Sequence, residues 1–331
     1  MGSSKVLSFT DPFTYQKALR ISDVELFPTE KGEFRAELMQ IDMDRLWMQA
    51  GRENLPHVVV GTVRPVRKAI AFFLTMEQQT VYCGQEVLYG DIIIHRPDLE
   101  HRRNGATRNW GSMSLTHDDL DAACKAITGH GFPGDKLALT VRPHPDLMSR
   151  LIKLHKTVGQ IAKTTPTILE LPQVSRALEQ QLVHLMVRCL TGSASSEITR
   201  GACRHQAIIA RFQAFLEANP NTPLYLPEIC AAIGAAERTL RIACEEHLGM
   251  GPIRYLALRR MHLVRRALQR ADSSTTVTRT ATDHGFWELG RFSVAYRALF
   301  GESPSATLQR PSNEGLMSLH RSLAPASSEF A

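Results

Sequence analysis

Two short stretches carry the residues best suited to chemistry in this chain. In GFWELGRFSVAYRALFG (285–301), helical winding gathers Phe292, Ala295, Tyr296 and Leu299 on one side as an apolar stripe. The opposite side holds Gly290, Val294 and Arg297, with Arg291 at its edge. In ERTLRIACEEHL (237–248) the same winding turns Leu240, Ala243, Cys244 and His247 inward and leaves Arg238, Arg241, Ile242 and Glu245 outward. A solvated face ordinarily carries Glu, Lys or Gln, and an interior Gly costs about 1 kcal/mol relative to Ala. Arginine's planar fork suits a guanine edge or a phosphate, an apolar side chain suits a thymine methyl, and glycine lets backbone come close. Both faces therefore have the chemistry of a helix pressed into a DNA major groove. Single exposed apolar residues are ordinary, but one at equivalent places on two helices favours the groove.

The two stretches are copies of one pattern. Counted back from Gly249 and Gly301, which lie 52 residues apart, Leu240 matches Phe292, Cys244 matches Tyr296, and Leu248 matches Phe300. Three residues beyond the glycines stand Pro252 and Pro304. Upstream, Gly234 and Gly285 each follow a small residue four positions earlier, Cys230 or Ala281, and the turn after Gly285 is one residue longer. A short helix with a small crossing residue, a glycine turn and a longer helix make a helix-turn-helix, here duplicated. The connector 252–269 reads as a helix with Ile253, Leu256, Ala257, Met261, Val264 and Leu268 on its inner stripe. Arg259, Arg266 and Arg270 lie opposite, and Arg260 falls within the stripe. Two units on one rigid connector would present helices near 236–247 and 288–299 to successive major grooves.

The segment 204–310 resembles the DNA-binding domain of the AraC/XylS family of transcription regulators, through ERTLRIACEEHLGMGPIRYL and GFWELGRFSVAYRALFGESPSATL. The resemblance implies base reading by Arg238, Arg241, Ile242, Gly290, Arg291 and Val294, and phosphate contact by Arg297 and Thr239. The family generally has Arg where Ile242 and Val294 stand and an aromatic where Cys244 stands. It implies double-stranded promoter DNA and RNA polymerase as partners, activation as the usual outcome, and an effector-sensing or dimerising β-barrel ahead of the DNA-binding domain.

Upstream, short β-rich runs at 33–42, 57–63, 69–75, 80–84, 91–96 and 109–115 have no helix between them, which predicts an antiparallel barrel or sandwich. Helices are expected at 145–163 and 172–190. The small, polar stretch TGSASSE (191–197) reads as a linker. Trp47, Phe73, Tyr82 and Trp110 are candidates to line a pocket for a small-molecule effector, and the helix at 172–190 is a candidate homodimer seam. His95, Glu100 and His101 are the residues nearest to a metal set, but no H-x-H arrangement accompanies them, and no cofactor or metal is assigned.

The whole chain fits this frame. Its 331 residues suit two or three domains, and 43% hydrophobic with 22% charged residues is a globular composition. From Arg204 to Arg310 there are fourteen Arg and no Lys against nine acidic residues, so five of the six net positive charges sit in that third. No apolar run approaches the ~20 residues of a membrane span, no secretory leader is evident, and the six scattered cysteines lack metal-type spacing, so the expected address is the cytoplasm. The expectation is an α+β multidomain protein. Residues 1–190 form a cupin-like antiparallel β-barrel with trailing helices, 191–203 a linker, and 204–310 an all-α domain with two helix-turn-helix units. Residues 311–331 form a disordered tail. The alternative is a cupin-type metalloenzyme fused to a DNA-tethering module.

Overall fold

The computed structural model describes residues 2–310 apart from 21, 76–79, 97–100, 106–108, 133–138, 193, 196–199, 220–223 and 273, so the tail 311–331 lies outside the described residues. The chain opens with β1 (Ser3–Phe9), α1 (Pro12–Ala18), β2 (Ser22–Pro28), β3 (Ala36–Asp42), β4 (Trp47–Glu53) and β5 (His57–Val63). It continues with β6 (Lys68–Thr75), β7 (Thr80–Tyr82), β8 (Gln85–Val87), β9 (Ile92–His95), β10 (His101–Gly105) and β11 (Asn109–Leu115). Then come α2 (His117–Thr128), β12 (Thr140–Arg142), α3 (Pro145–Thr164), α4 (Thr167–Glu170), α5 (Pro172–Thr191) and β13 (Ala194–Ser195). The described pairings are antiparallel and build two sheets, β1-β3-β4-β11-β6-β9-β12-β13 and β2-β5-β10-β7-β8.

Strand alternation explains the layering, because successive side chains point to opposite faces. In the large sheet Met39, Ile41, Met48, Ile70, Phe72 and Met113 face α2, α3 and α5, meeting Leu120, Leu151, Val158, Leu182 and Met186. The intervening Leu38, Phe73, Ile93 and Trp110 face the other way and pack with Leu26, Tyr82 and Val87 between the sheets. Trp110 lies so close over β4 that any Cβ on Gly51 would overlap its ring, so glycine is required there by packing.

The C-terminal helices are α6 (Arg200–Ala218), α7 (Leu226–Ile233), α8 (Glu237–Leu248), α9 (Pro252–Gln269), α10 (Val277–Asp283), α11 (Leu289–Phe300) and α12 (Pro304–Gln309). They do not form a separate ball. Phe27, Val58 and Val60 on the outer face of the small sheet share one cluster with Ile209, Phe212, Leu240, Cys244, Leu248 and Tyr255. The molecule is therefore stacked as helices, large sheet, small sheet and C-terminal helices.

Several expectations shift. Among the described residues the antiparallel strands are divided between two sheets, the sandwich form of the expected barrel or sandwich. The run at 33–42 becomes a strand only from Ala36. Within the expected linker, Ala194–Ser195 add a strand to the large sheet against Val141 and Arg142, and α6 begins at Arg200. On α9, Ile253 is 62% exposed, whereas Arg259 is buried, with its Nε 3.8 Å from Glu25 of β2. Leu256, Met261, Val264 and Leu268 of the expected stripe are buried as read, and the β-domain beside α9 widens the buried side to Tyr255, Arg259 and His262. Arg260 has its guanidinium 5.3 Å from the centroid of Phe286, a cation–π contact that accounts for a charge within an apolar stripe.

Candidate nucleic-acid interface

Each unit is built by the same local device. α7 ends at Gly234, whose left-handed backbone (φ 62°) lets the Ala235 amide donate back to the Cys230 carbonyl at 3.1 Å. α10 is followed by Gly285 (φ 79°), and the Phe286 amide donates to the Ala281 carbonyl at 2.9 Å. The two small residues picked out by the repeat are thus the acceptors that close the two turns.

From these turns α8 and α11 run out with one face anchored. On α8, Leu240, Ala243, Cys244, His247 and Leu248 are buried, as the pattern requires. Arg238, Arg241, Ile242 and Glu245 are exposed and share the opposite face, while Thr239 is half-buried beside it. The Arg241 guanidinium rests on Glu237 of its own helix at 2.9 Å. On α11 the anchors are Phe292, Tyr296 and Phe300, with Leu289 and Leu299 partly buried. Tyr296 and Phe300 ring centroids are 4.6 Å apart, and the Tyr296 hydroxyl donates to Thr307 Oγ1 at 2.9 Å. Ala295, expected in the stripe, is exposed. The three aromatics spaced four residues apart define the buried line and leave Ala295 on its flank.

The outward face of α11 holds Gly290, Arg291, Val294 and Arg297, all exposed. Val294 is 72% exposed, and Arg291 rests on Glu288 at 2.8 Å. A Cβ built on Gly290 meets nothing within 4 Å. Nothing described within the molecule needs a glycine there, in contrast to Gly51. Trp287, just ahead of α11, is 68% exposed and was not among the residues singled out by pattern.

A helix-turn-helix domain model matches residues 229–310, from the buried Ile229 of α7 to the end of α12. Among curated proteins, the XylDLEGF operon transcriptional activator 2 of Pseudomonas putida is 32% identical over 121 residues, which cover 36% of this chain and 77% of that one. The chain belongs to the AraC/XylS family. The XylDLEGF operon transcriptional activator 3 of the same organism is 28% identical over 192 residues, 58% of this chain and 56% of the relative. The match thus spans about half the length of that relative. In the solved AraC-like transcriptional activator CuxR, 91% of that chain aligns with 80% of this one at 14% identity and a TM-score of 0.38. What the chain resembles is a set of transcription regulators rather than a metalloenzyme.

In this AraC/XylS-family chain the β-domain residues singled out for a pocket divide into two groups. Phe73, Tyr82 and Trp110 come together between the sheets. Trp47 lies apart, with the Arg67 and Arg20 guanidinium carbons 4.2 and 5.3 Å from its ring. The intersheet space also holds polar groups that pattern reading missed. Trp110 Nε1 donates to Glu53 Oε1 at 2.7 Å, and Tyr15 donates to the same oxygen. Burial raises the Glu53 carboxyl pKa, against the pull of Arg103, Tyr15 and Trp110. Arg103 donates to His57 Nε2 at 2.8 Å, and burial followed by that positive charge pushes His57 down to about 3. Glu53 also lines an open cleft of about 580 Å³ with Ser8, Phe9, Arg35, Arg52 and Asn54. Glu100 and the His101 side chain lie outside the described residues; His95 Nδ1 is 3.2 Å from the Tyr82 hydroxyl.

The family's DNA-binding domain is here held against the β-domain by specific contacts. Asn104 of β10 donates to the His247 carbonyl at 3.2 Å, and His262 Nε2 is 3.2 Å from the Pro28 carbonyl. Arg266 reaches Glu25 at 3.3 Å, and Gln269 donates to Asp11 at 3.1 Å.

Proposed function

We infer that this chain is a sequence-specific DNA-binding transcription regulator reading two adjacent major grooves. In this reading α8 presents Arg238, Arg241 and Ile242, and α11 presents Gly290, Arg291 and Val294, while Thr239 and Arg297 touch phosphate. The observation that carries it is the outward face of α11. A helix that spends a glycine with no internal neighbour, beside a bare valine and two arginines, is shaped for something outside the molecule. Arg241 and Arg291 are held by Glu237 and Glu288 until phosphate or base replaces those exposed carboxylates, an exchange that costs little because exposed pairs contribute only about 0–1 kcal/mol.

The protein acts as an activator that recruits RNA polymerase, a reading supported by the activators among its relatives. Residues 1–190 form the regulatory domain, 191–203 connect it, and 204–310 bind DNA. A small-molecule effector binds in the β-domain, where Phe73, Tyr82 and Trp110 lie between the sheets and Trp110 reaches Glu53 at the edge of the open cleft, and a homodimer brings two DNA-binding domains to one promoter. The protein works in the cytoplasm; no described helix is long and apolar enough to cross a membrane.

The test is fluorescence anisotropy of the full chain with DNA from upstream of its own gene, over a salt series, with random DNA as control. Preference for the upstream DNA at ~150 mM salt with a steep salt slope is expected. Equal binding to both DNAs would reduce the interface to a basic surface and remove the sequence-specific reading.

A further inference from the structure

The two outward faces differ in chemistry, and the difference points to what each reads. The α8 face carries two arginines and a glutamate, and its one apolar member, Ile242, is only 36% exposed. The α11 face carries Val294 at 72%, exposed Ala295, Gly290 with open space over its backbone, and Trp287 at 68% immediately ahead of the helix. Trp287 owes its position to the longer second turn. α8 begins three residues after Gly234, whereas α11 begins four residues after Gly285. In that turn the Phe-Trp pair is split. Phe286 goes inward, 4.9 Å from the Phe292 ring and under Arg260, while the indole goes outward. The matching positions of the first unit are alanines, Ala235 and Ala236. The other two tryptophans are engaged, Trp110 with Glu53 and Trp47 with Arg67. A large exposed apolar group at the entry of a recognition helix, four residues ahead of Arg291, marks a contact surface rather than a solvated one.

We propose that Trp287 is a DNA-contacting residue, and that Trp287 and Val294, with Gly290 letting the helix approach, form an apolar subsite for thymine C5-methyl groups. The partner of the second unit is then an A·T-rich half-site read by methyl contact, while the first unit reads its half-site through arginine. The occupant is the major groove because that is where the thymine methyl is displayed, and because the stripe lies between Arg291 and Arg297, whose charge matches phosphate. This rests on the DNA-binding reading above.

The experiment uses the full chain and a duplex selected by it from a random 30-base-pair pool, in which each thymine is replaced singly by uracil, which lacks only the methyl. One or more uracil positions should weaken binding by about fourfold, the worth of one buried methyl group. That dependence should vanish in Trp287→Ala or Val294→Ala and persist in Ile242→Ala. Trp287 and Val294 are both exposed, so neither variant threatens the fold, and Trp287→Phe should retain part of the effect. A selected duplex bound tightly with no methyl dependence, or with a dependence lost only in Ile242→Ala, overturns the subsite and leaves sequence-specific binding standing. Failure of the pool to yield any preferred duplex overturns both readings together.

Discussion

The two helix-turn-helix units are copies of one pattern, yet they sit in different company. The first shares its core with the β-domain: Phe27 of β2 lies 6.2 Å edge-on from the Tyr255 ring and 5.3 Å from His262, and α8 is buttressed by β10. The core cluster of the second runs from Met261 to Leu308 and draws only on α9–α12 and the turn before α11. α9 belongs to both, Tyr255 and Leu256 to one core and Met261, Val264 and Leu268 to the other. The repeat keeps both outward faces exposed while the inner neighbours differ. A change in the β-domain therefore reaches α8 directly and α11 only through α9. β10 is the strand placed to carry it, since Arg103 points to Glu53 and His57 while Asn104, on the opposite face, holds the C-terminus of α8.

The largest expected effect tests that asymmetry. Phe27 is fully buried, so Phe27→Ala should cost about 3–5 kcal/mol of stability. Hydrogen exchange should show amide protection lost in β2, β5, α8 and the start of α9, with α11 keeping most of its own. Equal loss in α11 would make the two units one cooperative block and end the comparison.

Acid should separate the units next. Burial, then Arg102 and His205, hold His247 down at about 4, and its ring nitrogens find no hydrogen-bond partner among the described residues. Burial, reinforced by Arg265 and Arg266, holds His262 at about 3 despite the Pro28 carbonyl. Unfolded, each titrates near 6.5. Above that pH both states are neutral and nothing is lost. Below it the unfolded chain takes up protons that the folded interface refuses. Stability then falls by up to about 1.4 kcal/mol per pH unit and per histidine until the folded values are reached. Between pH 6.5 and 5 that is about 2 kcal/mol for each. His57, His95 and His155 in the β-domain pull the same way, so the decisive measurement is a comparison. Denaturant unfolding of His262→Phe should show a pH slope shallower by one proton than the unsubstituted chain. An unchanged slope would mean that His262 is not held neutral at this interface.

The same asymmetry explains what the sequence could and could not disclose. α11 was legible because its core is local: aromatics at 292, 296 and 300 meet α9, α10 and α12, all within the repeat. The burial of Arg259 on α9 was not, because its partner is Glu25, 234 residues earlier. β10 was missed because HRRNG has no apolar alternation. Both of its faces are covered by protein, so the fully buried Arg102 and the inward Arg103 look like loop charges in the sequence. The strands at 57–63 and 109–115 were read at their observed bounds, since their apolar and polar residues alternate or run between clear turn signals. Phe73, Tyr82 and Trp110 share one buried cluster whereas Trp47 lies apart, because which face of β4 it occupies is decided by register.

Arg241→Ala sharpens the comparison at the level of DNA. It removes only an exposed pair from the fold, yet should cost about 1–3 kcal/mol on a selected duplex and little on random DNA. An equal loss on both would assign Arg241 to phosphate.

The smallest effect is the most discriminating, because its two parts have opposite signs. Gly290 sits in the first turn of α11 with open space where a Cβ would be, so Gly290→Ala introduces no clash. It also removes the entropy that glycine loses on folding, and stability should rise by about 0.5–1 kcal/mol. Gly51→Ala should do the reverse, since its Cβ would land 2.3 Å from the Trp110 ring. If the α11 face lies in a groove, the methyl that steadies the free protein should also hold the helix off the DNA, weakening binding to a selected duplex. A protein that gains stability and keeps its affinity would show that the space over Gly290 stays open in the complex, and that the glycine serves neither the fold nor the groove.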